Sequence, residues 1–127
     1  MEEAYYPDIN RAAMVVRLKK PFIDWLVYSS KKYNGLGREL RPEEIKTDGF
    51  DSKHVYLVPA YDKIEKYEKY IKKHCTEIFE EELFGWYTDP EMWPKDRSWK
   101  VFKEWFDYEI HTMVFDTDPD NPIEHEE

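Results

Sequence analysis

The chain has 127 residues, enough to bury one hydrophobic core and too few for two. Its 19 basic and 28 acidic residues leave a net charge of −9, which opposes non-specific attraction to nucleic acid or anionic lipid, so neither is an expected partner. The longest apolar run, residues 12–18, falls far short of the roughly 20 residues that a membrane-spanning helix needs, and no signal peptide precedes it; the expected location is the cytoplasm.

Aromatic residues make up 17% of the sequence, and each large ring buries roughly 150–250 Å², so the core is expected to be built on rings. Cys75 is the only cysteine and can form no internal disulfide. It reads as a buried thiol, which is where free cysteine is most often found.

In chain order, Pro7, Asp8, Ile9 and Asn10 read as a turn that launches the first element. Residues 12–18 are β-prone and end at Lys19, Lys20 and Pro21. A strand and then a helix with proline in its first turn are predicted there, the helix carrying Phe22, Trp25, Leu26 and Tyr33 and stopping at Asn34 and Gly35. Residues 36–53 read as a loop with at most a short helical turn at 42–45. Residues 54–60 are nearly continuous in apolar character, as in a strand covered on both faces. A helix over 62–84 follows, with Ile64, Tyr67, Ile71, Cys75 and Ile78 on one stripe and Glu65–Lys69 and Glu68–Lys72 pairs outside. Gly85 stops it, and two prolines make 86–94 irregular. Asp96 or Ser98 can cap a third helix presenting Trp99, Phe102, Trp105 and Phe106, and 108–115 reads as the last strand. The prediction is one α/β (α+β) domain over 1–116 in the order β-α-β-α-α-β, followed by an acidic flexible tail over 117–127.

Side chains alternate along a strand, which places Ala13, Val15, Arg17 and Lys19 on one face of the first strand and Glu109, His111, Met113 and Phe115 on one face of the last. Polarity runs in opposite directions along these two sets. Antiparallel pairing therefore matches cations with Glu109 and His111, and apolar residues with Met113 and Phe115. The first two strands, joined through one helix, are expected to be parallel, giving a small mixed three-stranded sheet with its helices mainly on the Met14, Val16 and Ile110 face. The opposite face is left with an apolar half, joined by Tyr56 and Val58, that either the 86–93 loop or a second copy must cover.

The cluster Arg17, Lys19, Glu109 and His111 is the candidate ligand site, since a histidine beside a carboxylate and two cations can hold an anion and move a proton; its plainer reading is cross-strand ion pairing. No nucleophile elbow, phosphate-binding glycine loop or dinucleotide fingerprint occurs, so no catalytic residue and no cofactor is assigned. His74 and Cys75, adjacent on a helix, point about 100° apart, and no second cysteine supplies a zinc spacing, so no metal site is assigned. Glu77, Glu80, Glu81 and Glu82 near a helix C-terminus read as a solvated end or as a contact for a basic partner. Counted from Asp116, the tail sets Asp118, Asp120, Glu124 and Glu127 at the carboxylate positions of a calcium loop. Asn121 stands where that loop needs glycine, and an acidic tail is the plainer reading. Trp86 and Trp93 form a candidate aromatic binding surface, against a core-and-cover role for the whole 86–106 segment.

The runs NRAAMVVRLKKPFIDWL from Asn10, VYLVPAYD from Val55 and IFEEELFGWYTDPEMWPKDRSWKVFKEWF from Ile78 resemble those of a family of short uncharacterised bacterial proteins. The resemblance covers most of residues 10–116 and implies no activity, hence no catalytic residue. The expectation is a cytoplasmic protein-interaction or regulatory domain, a homodimer or the partner of another protein. The alternative is a small-molecule-binding protein or enzyme using the charged half of the sheet face.

Overall fold

The computed structural model describes residues 6–33, 40–45 and 53–126. The elements are β1 (Arg11–Leu18), α1 (Lys20–Tyr33), a 3-10 turn (Pro42–Glu44), β2 (Lys53–Pro59), α2 (Ile64–Phe84), a second 3-10 turn (Pro90–Met92), α3 (Trp99–Trp105) and β3 (Phe106–His111). The predicted β-α-β-α-α-β order stands, and the fold is a small α+β domain. Among the described residues no helix is long and apolar enough to cross a membrane.

The three strands lie in the order β2-β1-β3, and both pairings are antiparallel. β1 takes the centre because its alternation is the strongest: Ala12, Met14, Val16 and Leu18 are all buried, while the residues between them are not. The expected parallel crossover between β1 and β2 does not occur. A helix that runs back along β1 delivers a parallel strand only if the next strand starts where the helix ends. The stretch between Tyr33 and Lys53, at up to roughly 3.3–3.6 Å per residue, is long enough to return along the whole sheet first, so β2 enters beside Arg17.

This reversal also changes what covers β2. It is an edge strand, with Val55 64% and Leu57 50% exposed and only Val58 buried, so the reading of a strand covered on both faces is corrected. Tyr56 and Val58 oppose Met14 and Ala12 and therefore share the helix-side face; Val55 and Leu57 take the outer face in their place.

The helices cover one face of the sheet around a cluster of rings. Phe79 of α2 sits 4.9 Å from Phe106, 5.3 Å from Trp105 and 6.4 Å from Phe102, and Phe22 of α1 packs on Trp105 and Phe106 from the other side. Tyr67, Ile71, Cys75 and Ile78 form the predicted stripe of α2, although Ile64 is exposed at the helix start, where Lys66 pairs with Asp62. Gly85 ends α2 in right-handed helical conformation, its N–H donating to the Glu81 carbonyl. Ser98 caps α3 by accepting from the Val101 N–H, and Asp96 in turn accepts from the Ser98 N–H, so both predicted caps act in series.

Strand β3 follows α3 without a break: Trp105 ends the helix and Phe106 starts the strand. Its span, Phe106–His111, lies earlier than the predicted 108–115. Pairing resumes beyond it, where Asp8 bridges Phe115, with the Ile9 N–H on the Val114 carbonyl and the Asp116 N–H on the Pro7 carbonyl, both at 2.8 Å. Residues 7–9 are therefore paired backbone rather than a free turn. From Ala13 to Asp8 is five steps against four from His111 to Phe115, so the N-terminal side carries one extra residue, as at a bulge.

Candidate functional site

Of the four charged residues singled out in the sequence, Arg17, Glu109 and His111 share the outer face, and the four do not form one cluster. Arg17 opposes Asp107 on β3 and Lys53 on β2, whereas Glu109 opposes Val15 and His111 opposes Ala13. Lys19 lies past the end of β1 and donates from Nζ to the Lys103 carbonyl. His111 Nε2 is 3.7 Å from Glu109 Oε2, an exposed pair along one strand. The strands are antiparallel as predicted, but the register differs by four residues from the one that charge matching favours. Burial explains it: this register sets Phe106 against Leu18, Tyr108 against Val16 and Ile110 against Met14. Burying one large apolar side chain contributes roughly 1.5–3 kcal/mol, while an exposed ion pair contributes about 0–1. A shift by an even number leaves every side chain on its predicted face.

The aromatic candidates are cover for the core. Trp86 and Trp93 are half-buried, Trp93 donating from Nε1 to the Tyr87 carbonyl under the Arg97 guanidinium, and Trp25 Nε1 donates to the Met92 carbonyl. The 86–93 loop thus packs on α1 and not across the outer sheet face, where Met113 and Phe115 remain exposed. His74 stacks on Tyr70 at 4.3 Å between centroids, while Cys75 points into the core, where burial pushes its thiol pKa up. In the tail, Asp116 accepts from the Asp118 N–H and Asp118 from the Asn121 side chain; Glu127 lies outside the described residues. Among the described residues no group of three or more His, Cys, Asp or Glu is placed to hold a metal ion.

The site that the structure assembles lies elsewhere, between α2 and the edge of β2 that has no strand partner among the described residues. Glu82, expected at a solvated helix end, is 3% exposed. Its two carboxylate oxygens lie 2.8 Å from His54 Nδ1, and Oε2 accepts from the Tyr56 hydroxyl at 2.5 Å. With the carboxylate accepting, Nδ1 carries the proton, on a half-exposed ring. The signal was present in the sequence: Glu82 follows Cys75 by seven and Ile78 by four, which puts a carboxylate on the apolar stripe of α2. His54 and Tyr56, two apart, share a face of β2. What spacing could not supply was that β2 delivers them to Glu82.

From this trio a groove of about 250 Å³ runs between Tyr56, Leu57 and Val58 of β2 and Tyr70, His74, Glu77, Ile78 and Glu81 of α2. Past Tyr70 and His74 it opens into a basin of about 860 Å³ bounded by Tyr61, Lys66, Lys69, Lys72 and Lys73. Tyr61 is pinned at that end, its backbone N–H donating to the Tyr67 hydroxyl and its carbonyl accepting from it.

Burial, followed by the negative charge of Glu82 and the hydrogen bond to it, pushes the Tyr56 phenol far above its usual range. In the unfolded chain it ionises near pH 10; in the fold it stays neutral beyond that. Its contribution is therefore complete below about pH 10 and fades as pH climbs toward the folded value. We expect Tyr56→Phe to lose about 1 kcal/mol at neutral pH and to lose less stability than the parent above pH 10, by at most about 1.4 kcal/mol per pH unit. Urea denaturation from pH 8 to 11 tests this, and parallel curves for the two proteins would contradict the Tyr56–Glu82 contact.

Comparison with known proteins finds no matching family model, no matching curated protein and no matching solved structure.

Proposed function

We propose that this chain is a protein-interaction domain whose binding element is the free edge of β2, which receives an extended segment in the groove walled by α2. One observation carries the reading: three consecutive residues of an edge strand, Tyr56, Leu57 and Val58, line one side of a groove whose other side is a single helix. An edge strand presents backbone N–H and C=O groups with no partner in its own sheet, and a helix alongside supplies side-chain contacts for alternate residues of an added strand. Val55 and Leu57, exposed on the outer face, offer apolar surface to the same segment.

Peptide selection tests this directly, whatever the partner's identity. Selection from a displayed random-peptide library on the domain, immobilised at low density, is expected to enrich extended sequences. Their affinity should fall by about tenfold when alternate peptide amides are N-methylated in one phase, and barely change in the other, because only every second amide faces β2. A selection that enriches nothing, or peptides indifferent to the phase of methylation, would overturn the reading.

A further inference from the structure

We infer that the segment received along β2 is the β2 strand of a second copy of this chain, giving a two-fold dimer with a continuous sheet and the two α2 helices side by side beneath the seam. This rests on the strand-addition reading above. The groove-facing stripe of α2 is basic in its first half, with Lys66, Lys69 and Lys73, and acidic in its second, with Glu77 and Glu81. Lys69 and Glu81 each lie six positions from Cys75, and Lys73 and Glu77 each lie two. A copy related by a two-fold axis at the level of Cys75 runs its helix antiparallel, so Lys69 meets Glu81 of the second copy and Lys73 meets Glu77, each contact occurring twice. Within the chain these four charges are exposed and have no ion-pair partner among the described residues. A uniformly acidic or uniformly basic segment would satisfy half of the stripe and be repelled by the rest. A second copy pairs Lys69, Lys73, Glu77 and Glu81 at once, and Lys66 already has Asp62.

The strand agrees with the helix. Lys53 stands at the first position of β2, so an antiparallel mate puts the two lysines at opposite ends of the seam, while Val55 and Leu57 of both copies fall together on the outer face. Spacing sets a condition: paired strands lie about 4.8 Å apart and packed helices about 8–10 Å apart, so each helix axis must stand roughly 2 Å inboard of its own edge strand. The Tyr56–Glu82 contact ties α2 to that strand.

Sedimentation equilibrium of the full chain at low salt, up to about 0.5 mM protein, is expected to give close to twice the 15.6 kDa chain mass. Lys69→Glu with Lys73→Glu makes all four pairing positions acidic, and Glu77→Lys with Glu81→Lys makes all four basic. Each double variant alone is expected to sediment as a monomer, and an equimolar mixture of the two to return to the dimer mass, which also shows that both are folded. A parent that stays monomeric throughout overturns the second copy as occupant and leaves the peptide selection to judge the groove. A dimer indifferent to both charge reversals, or a mixture that stays monomeric, overturns it equally, since the interface then lies elsewhere or does not depend on the stripe.

Discussion

Phe79→Ala is expected to lower the unfolding free energy by about 3–5 kcal/mol, the range for deleting a large, fully buried ring. Phe79 is 0% exposed and meets Phe106 edge-on, Trp105 and Phe102, so it joins α2 to both α3 and β3. The lost ring leaves a hole that three rigid neighbours cannot close without leaving their rotamers, which adds a cavity cost to the lost burial. Against a total stability of about 5–15 kcal/mol for a domain, such a loss is a large fraction of the whole. Trp105, only half-buried, is expected to cost less on truncation to alanine. Guanidinium denaturation of both variants measures the difference. A Phe79→Ala loss below about 1 kcal/mol would mean that the rings are not the anchor of the fold.

His54→Ala is expected to cost about 2–3 kcal/mol, and Glu82→Leu only about 1, the loss of the Tyr56 hydrogen bond, although Glu82 is the buried member of the pair and His54 the half-exposed one. The asymmetry follows from what each substitution leaves behind. Without His54 the carboxylate stays buried with only the Tyr56 hydroxyl to compensate it. Without the carboxylate, leucine fills an apolar position beside Ile78 and Leu83, and the His54 ring turns to water. In the double variant His54→Ala, Glu82→Leu the histidine loss should largely vanish, which a double-mutant cycle reads as a coupling of about 2 kcal/mol. If Glu82→Leu proves the more damaging single change, the trio is a net source of stability rather than a buried cost.

Elements whose period is local were legible in the sequence: the alternation of β1, the apolar stripe of α2 through Tyr67, Ile71, Cys75 and Ile78, and the Ser98 cap. The antiparallel pairing of β1 with β3 was legible too, because it depends only on the direction of a polarity gradient along each strand. Three features waited on the packing of distant segments. The direction of β2 depended on where the chain after Tyr33 returned, and alternation reads the same in either direction. The register of β3 followed from α3 running straight into Phe106, where burial of rings outweighs the charge matching of Arg17 and Lys19 with Glu109 and His111. The meeting of His54 and Tyr56 with Glu82 spans 28 and 26 positions. No local period encodes such a distance. It was settled when β1 took the centre of the sheet and left β2 at the edge, beside α2.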